Sequence, residues 1–342
     1  MFERSITMDT QLNTKRILIF LAFAIGIPWT AALVLYLTVG ATDLLKAATL
    51  ANTIFVTTPA VANAVTRLIT REGWRRTWLW PNFRRGWRFY LAAMLLPLLA
   101  VAVGGSIFFL LFPQSFDPNL GEVRKLYAAL SLATETNPWM VLLFITLQSS
   151  ILWLFKNGLL SIGEEFGWRA YLLPKLMERF TGAEPGSAPA EDPVQASRYA
   201  AGARKAALLI GLIWGVWHWP LFLMTLRLTP DFPLMFLLVY VLSTCWLSVL
   251  LCWVTLRSGS VWPASIGHGF INGTSALPKL LLKGPANLLL GPGPSGLIGG
   301  IGFTILALVL LFSRRAFAGR KEAGSEKERA FTPKSRKRVS NV

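Results

Sequence analysis

The chain of 342 residues is 54% apolar and only 15% charged, yet it carries a formal net charge of +17. This apolar content, with a mean hydropathy of +0.50, excludes an ordinary soluble globular domain. The basic residues lie in the connections between apolar runs and at the C-terminus rather than on one folded face, so the charge does not indicate a nucleic-acid partner.

Apolar runs of membrane-crossing length follow one another along the chain. The first, residues 17–39, carries no charge and is longer than the apolar part of a secretory signal. A helix crosses a bilayer core with roughly 20 apolar residues. Further runs lie at 48–66, 89–112, 139–173, 206–226, 233–256 and 296–313, with a weaker one at 261–277. We therefore predict an all-α, polytopic membrane helical bundle of about eight transmembrane helices.

The run at 139–173 is longer than a straight crossing requires. It fits either one long tilted helix or a span followed by a second, partly embedded segment around Lys156 and Asn157. In both cases we expect the acidic pair at its C-terminal end to lie nearer the cytosolic third of the membrane than the midplane.

The basic residues also predict the orientation of the bundle. With eight spans and a cytosolic N-terminus, the cytosolic segments hold 26 Lys or Arg residues and the opposite side holds 6. Because cytosolic loops of membrane proteins are enriched in Lys and Arg, both termini are predicted to be cytosolic. We expect a multi-pass protein of the bacterial plasma membrane, in direct contact with the lipid bilayer.

The apolar runs and the basic residues divide the chain into three predicted segments. Residues 1–16 are predicted to form a cytosolic N-terminal tail, and residues 17–313 a single membrane-embedded domain. Residues 314–342 hold ten basic residues and are too polar to pack, so we predict a disordered cytosolic tail near anionic headgroups.

Ionisable residues inside apolar helices are costly and usually functional. The predicted spans contain an EExxxR pattern, a single histidine and an HxxxN pattern. The two histidines are the only ones in the chain, and both lie within predicted spans. The candidate site residues are Glu164, Glu165, Arg169, His218, His268 and Asn272.

Helical spacing suggests different functions for the two glutamates. Glu165 and Arg169 are four residues apart, so they can pair along one helix face, which would keep Glu165 ionised. Glu164 has no basic residue four positions later, because that position is Trp168. Glu164 is therefore the carboxylate that is free to act as a general base.

The histidines suggest the remaining parts of a hydrolytic site. His268 and Asn272 share one helix face and could together bind an oxyanion. His218 lies two residues before Pro220, which removes a backbone hydrogen bond and predicts a helix kink with room for water or a substrate carbonyl. A polar network that only bridges three helices is the structural alternative.

The sequence leaves the need for a metal open. An HExxH motif and a phosphate-binding Gly-rich loop are both absent from the sequence. Glu164, His218 and His268 could hold Zn²⁺ with one open position, as in catalytic zinc sites. Asn272 is a poor zinc ligand and fits an oxyanion site better, so we predict no obligatory cofactor, with Zn²⁺ as the alternative.

The ordered motifs resemble the CPBP family, the CAAX-prenyl protease and bacteriocin-processing intramembrane endopeptidases, also called the Abi family. The resemblance covers roughly residues 139–277, the motif core. The motifs are Glu164-Glu165-x-x-x-Arg169, Trp214-x-x-x-His218 and His268-x-x-x-Asn272. Phe is more common than Trp at position 214, a difference expected to alter packing more than chemistry.

The resemblance implies an eight-helix core that cleaves a peptide bond, with Glu164 as general base. It also implies that His218 is an additional polar or metal-binding group and that His268 and Asn272 surround the oxyanion. The implied substrate is a membrane-associated peptide or lipidated protein. Two other functions fit the same fold: a non-proteolytic membrane scaffold or regulator, and, less well, a proton-coupled transporter that uses Glu164, Glu165 and Lys156.

Overall fold

The computed structural model describes residues 2–74, 77–129, 137–182, 193–225 and 233–318. All regular secondary structure within these ranges is helical, which confirms the all-α prediction. The α-helices are α1 (Phe2–Leu37), α2 (Leu44–Ile69), α3 (Phe83–Leu111), α4 (Gly121–Ala129), α5 (Pro138–Gly167), α6 (Leu173–Thr181), α7 (Pro193–Trp217), α8 (Trp219–Thr225), α9 (Phe236–Ser258), α10 (Trp262–Thr274) and α11 (Ile301–Phe312).

The polytopic architecture is confirmed by the length and composition of these helices. Within the described ranges, five helical segments are long and apolar enough to cross a membrane. These are Gln11–Ala41, Leu44–Ile69, Phe83–Leu111, Pro193–Met224 and Phe236–Ser258. Many large apolar side chains on them face outward, including Leu18, Leu33, Leu95 and Leu99, as expected of surfaces in contact with lipid.

Two of the remaining predicted spans are shorter in the structure than a straight membrane crossing requires. α10 and α11 have 13 and 12 residues, about 20 and 18 Å, which is shorter than a bilayer core of roughly 30 Å. Most of α10 is buried inside the bundle. The total of eight crossings therefore stays a prediction.

Two boundaries predicted from the sequence differ from those in the structure. Residues 2–16, predicted to be a separate tail, continue into α1 without a break. The 139–173 run is a single helix, because α5 passes through a π-helical turn at Trp168–Leu172 directly into α6. The predicted disordered tail lies outside the described residues from 319 onward.

Hydrogen bonds at the helix ends define two ends of the bundle. At one end the first half of α1 meets the end of α2, where Arg16 Nε lies 3.4 Å from Thr70 Oγ1. The end of α9 meets the segment after α11 there, where Arg257 donates to the carbonyl of Ala318. We call this the termini end. At the opposite, distal end, the amide of Asp117 after α3 donates to the carbonyl of Leu281 after α10.

Close backbone packing brings the motif helices together. α5 packs against α2 and α10. A Cβ atom on Gly167 would collide with Pro59 of α2, and one on Gly269 would collide with the backbone of Gly158 in α5. Glycine is therefore needed at both contacts, because a larger residue would separate the helices.

This packing also places the acidic pair along α2. Gly163 and Gly167, on either side of the pair, contact Val56 and Pro59. These residues lie at the middle of the 26-residue α2. The pair thus lies opposite the centre of α2, and its position nearer the cytosolic third of the membrane stays a prediction.

Candidate active site

The acidic pair lies in the last turn of α5, immediately before the π-helical turn. Glu164 is 5% exposed and Glu165 is fully buried. A π turn disturbs the regular pairing of backbone carbonyls. The carbonyl of Phe166 accepts a hydrogen bond of 2.8 Å from Nδ2 of Asn63 on α2. Asn63 therefore supports the backbone directly beside the two glutamates.

Glu165 is fully buried and binds side chains from two helices. Its Oε1 atom accepts from Nη1 of Arg169 at 3.0 Å and from Nδ1 of His268 at 2.8 Å. The pairing with Arg169 confirms the prediction from the four-residue spacing. The contact with His268 connects α5 to α10 across 103 sequence positions, so helical spacing could not have predicted it.

Glu164 points to a different neighbour. Its Oε2 atom accepts a hydrogen bond of 2.8 Å from the indole Nε1 of Trp214 on α7. A phenylalanine could not donate this bond, so the difference at position 214 involves a hydrogen bond as well as packing. The same indole lies beneath the guanidinium of Arg169, 4.6 Å from the ring centre, and 5.1 Å from the ring centre of His268. Trp214 thus contacts Glu164 directly and also contacts Arg169 and His268, the two partners of Glu165.

His218 occupies the break that Pro220 predicts. α7 ends at Trp217 and α8 begins at Trp219, so His218 lies between two helices. Its Nδ1 lies 2.8 Å from the carbonyl of Trp214. Because a carbonyl only accepts, Nδ1 carries the proton, and Nε2 of the neutral ring is an acceptor. The ring packs edge to face against Trp217 and Tyr240, with centres 4.7 and 5.3 Å away.

A cavity of about 620 Å³ is lined by most of the predicted site residues. Glu164, His218, His268 and Asn272 line it, whereas Glu165 and Arg169 lie behind its wall. The structure thus separates the six candidates into four that line the cavity and two, Glu165 and Arg169, that do not.

Sequence reasoning missed several further polar groups in the wall of the cavity. They include Asn52 of α2, Asn157 of α5 and Tyr240 of α9. Asn157 precedes Glu164 by seven residues, or two helical turns, so its position on the same face was available as a signal. Asn52 and Tyr240 lie on other helices and carry no such signal.

The contacts of the candidate ligands bear on the metal alternative. In the described part of the chain, no group of three or more His, Cys, Asp or Glu side chains is arranged to hold a metal ion. The contacts explain this arrangement, because His268 turns its Nδ1 to Glu165 and Glu164 turns one oxygen to Trp214. The geometry favours hydrogen bonding over convergence on a cation.

The motifs, the membrane helices and the paired glutamates together point to one family. Residues 146–274 match the family of Rce1-like type II CAAX prenyl endopeptidases. This match confirms the resemblance drawn from the motifs. The Rce1-like segment covers less than half of the chain but contains all six candidate residues. No curated protein matches the chain.

The buried ion pair of the Rce1-like segment predicts a large stability effect. Arg169→Ala removes the cation beside a fully buried carboxylate, which is expected to cost about 3–5 kcal/mol of unfolding free energy. Thermal unfolding of purified protein in detergent should show a strongly lowered Tm and a reduced folded yield. The matched control is Lys125→Ala, because Lys125 pairs with Glu122 at 2.8 Å on the exposed surface. If Arg169→Ala and Lys125→Ala lowered the Tm equally, burial of the ion pair would not be the cause of the loss.

The Trp214 hydrogen bond predicts a kinetic effect without a large loss of fold. Trp214→Phe keeps an aromatic face for Arg169 but removes the donor to Glu164. A hydrogen bond to a charged group contributes about 1.5–3 kcal/mol, so kcat should fall by roughly 10- to 100-fold, while the retained aromatic ring keeps the protein folded. Steady-state cleavage kinetics and unfolding curves of the two proteins would test this. Unchanged kinetics would show that the bond does not position the carboxylate.

Proposed function

We propose that the chain is an intramembrane endopeptidase that hydrolyses a peptide bond of a membrane-associated or lipidated peptide or protein. The observation that carries the proposal is the Glu164 carboxylate in a cavity that it shares with both histidines and Asn272. The Rce1-like match over the same residues supports a peptidase of the CAAX type.

In the proposed mechanism Glu164 activates a water molecule. One Glu164 oxygen is fixed by Trp214, and the carboxylate accepts a proton from water as the water oxygen bonds to the substrate carbonyl carbon. His218 Nε2, the acceptor of a neutral imidazole, can hold the second water hydrogen. Glu164 then returns the proton to the leaving amine nitrogen as the C–N bond breaks.

The developing oxyanion requires hydrogen-bond donors. The side-chain amide of Asn272 supplies one in any protonation state. His268 supplies a second when its Nε2 is protonated, because its Nδ1 is committed to Glu165. In this assignment Glu165 and Arg169 act through His268 and do not touch the substrate.

Two other functions compete with this proposal. A membrane scaffold with the same fold would keep these contacts and lack turnover, so measured cleavage separates it from a peptidase. A proton-coupled transporter would use Lys156 together with the glutamates. Lys156 is exposed and is not part of the cavity wall that contains Glu164, which favours the peptidase.

The identity of the base is tested by Glu164→Gln. The glutamine side-chain oxygen can still accept from Trp214 but cannot take a proton from water. Turnover should therefore fall by at least 100-fold while Tm and folded yield stay close to the wild type. Peptides in membranes that contain either protein would be compared by mass spectrometry. The control Glu122→Gln makes the same change on α4 and should cleave normally. Retained activity in Glu164→Gln would overturn the assignment.

The proposed mechanism has no metal requirement. Purified active protein should hold no stoichiometric metal and should keep its activity after treatment with a strong chelator. Elemental analysis and cleavage assays on the same preparation would check both. Stoichiometric zinc, together with activity that is lost on stripping and restored by zinc alone, would replace the proposed mechanism with a metal-dependent one.

A further inference from the structure

The helix that carries the acidic pair changes its winding directly after the pair. The amide of Trp168 is shared between the carbonyls of Glu164 and Glu165, and the amide of Leu173 donates to the carbonyl of Trp168, five positions earlier. Because a π turn holds more residues than an α turn, it changes the relative directions of the side chains before and after it. The directions of Glu165 and Arg169 therefore depend on how this turn is wound.

A side chain of α2 binds the backbone at the start of this turn. Asn63 is fully buried, and its Nδ2 donates to the carbonyl of Phe166 at 2.8 Å. Phe166 directly follows Glu165 and precedes the π turn by two residues. Asn63 is not among the described residues that line the cavity. Its link to the acidic pair therefore runs through the backbone.

Arg67 fixes the direction in which the Asn63 amide points. The Nε atom of Arg67 donates to Oδ1 of Asn63 at 2.8 Å. A guanidinium only donates and a carbonyl only accepts, so the amide satisfies Arg67 and Phe166 together in one orientation. Of the side chains of similar size, an aspartate would satisfy only Arg67, and a leucine would satisfy neither partner. The position thus requires a group that both donates and accepts.

The loop after α2 binds the same turn from its other side. Nη1 of Arg67 holds this loop by donating to the carbonyl of Gly73 at 2.8 Å. In the loop, Glu72 accepts from the hydroxyl of Tyr171, inside the π turn, at 3.2 Å. It also accepts from Nζ of Lys175, in the first turn of α6, at 2.6 Å. α2 and its loop therefore bind the chain before, within and after the π turn.

The outer part of this network, at the termini end, is charged. Burial by itself would raise the pKa of Glu72, but the hydrogen bond and charge of Lys175, with the charges of Arg16 and Arg67, hold it below its usual value. Glu72 is therefore ionised at neutral pH. Hydrogen bonds to an ionised group are stronger than those between neutral groups, so this contact holds the loop firmly against α6.

We propose that Asn63, oriented by Arg67, is a positioning residue of the site. It fixes the backbone at the start of the π turn and thereby the direction of the Glu164 carboxylate. Small displacements of a reacting group lower the rate strongly, so this contact should affect turnover although Asn63 does not touch the substrate. The effect on turnover rests on the proposed endopeptidase function, whereas the effect on the turn does not.

Two variants of Asn63 test the positioning role. Asn63→Asp and Asn63→Leu both remove the donor to Phe166, and only the aspartate keeps an acceptor for Arg67. In both, kcat should fall by roughly 10- to 100-fold, and KM should change by less than about 2-fold because uniform substrate binding is kept. The Tm should fall further in Asn63→Leu, which leaves Arg67 unpaired. Both constants would be measured with a peptide whose cleavage depends on Glu164.

The matched control is Asn82→Asp. The Nδ2 atom of Asn82 donates to the carbonyl of Gly259 at 2.8 Å, so the same change removes the same type of bond between two other segments, and kcat should stay at the wild-type value. An unchanged kcat in Asn63→Asp or an equal loss in Asn82→Asp would overturn the proposal. So would kcat losses at position 63 that simply follow the Tm losses. If neither Asn63 variant folds, Asn63 serves folding and the positioning role is wrong.

Hydrogen exchange separates this inference from the proposed function. Amide exchange over residues 164–173, measured by mass spectrometry in detergent, should be about 10-fold faster in Asn63→Asp than in the wild type, because local opening becomes easier. Asn82→Asp should leave it unchanged. Unchanged exchange in Asn63→Asp overturns the inference while the peptidase stands. If the wild type cleaves no peptide, the proposed function fails, and the exchange rates still decide whether Asn63 fixes the turn.

Discussion

The arrangement of this bundle depends on how it stabilises the Glu165 carboxylate in an apolar interior. A lone buried charge is strongly destabilising, and a paired one is tolerated only with good geometry and additional hydrogen bonds. Arg169 supplies the charge from the next turn of the same helical run, and His268 supplies a second donor from α10. Because both donors bind Oε1 of Glu165 and come from two helices, this pairing also fixes α10 against α5. The glycine contact between Gly158 and Gly269 allows the backbones to come close enough.

Adjacent positions in one helix turn give the two glutamates opposite surroundings. Side chains one residue apart in an α-helix point about 100° apart, so Glu165 faces the packed interior and Glu164 faces the cavity. Trp214 connects the two, since its ring lies against Arg169 and its indole N–H donates to Glu164. The structural ion pair and the proposed base are therefore positioned by the same side chain. A substitution of Trp214 is therefore expected to affect both the ion pair and the proposed base.

The proposed hydrolytic function makes two different demands on the interior of the bundle. Water must reach the reacting groups, while the rest of the interior must stay packed. The cavity beside Glu164, with polar side chains such as Asn52 and Asn157 in its wall, would give water a place next to the carboxylate. The buried pair of Glu165 and Arg169 and the contacts of Glu72 with Lys175 and Tyr171 keep the neighbouring interior packed. This separation explains why ionisable residues are concentrated at a few positions in an otherwise apolar chain.

The sequence alone determined those features that depend on local spacing and composition. Apolar run lengths gave the helical membrane class, the i,i+4 spacing gave the Glu165–Arg169 pair, and Pro220 gave the break at His218. The tertiary structure decided which groups meet across helices: His268 with Glu165, Trp214 with Glu164, and Asn63 with the carbonyl of Phe166. These contacts join residues 103, 50 and 103 positions apart. Helical periodicity specifies which face a side chain occupies, but only the packing of one helix on another specifies what that face meets.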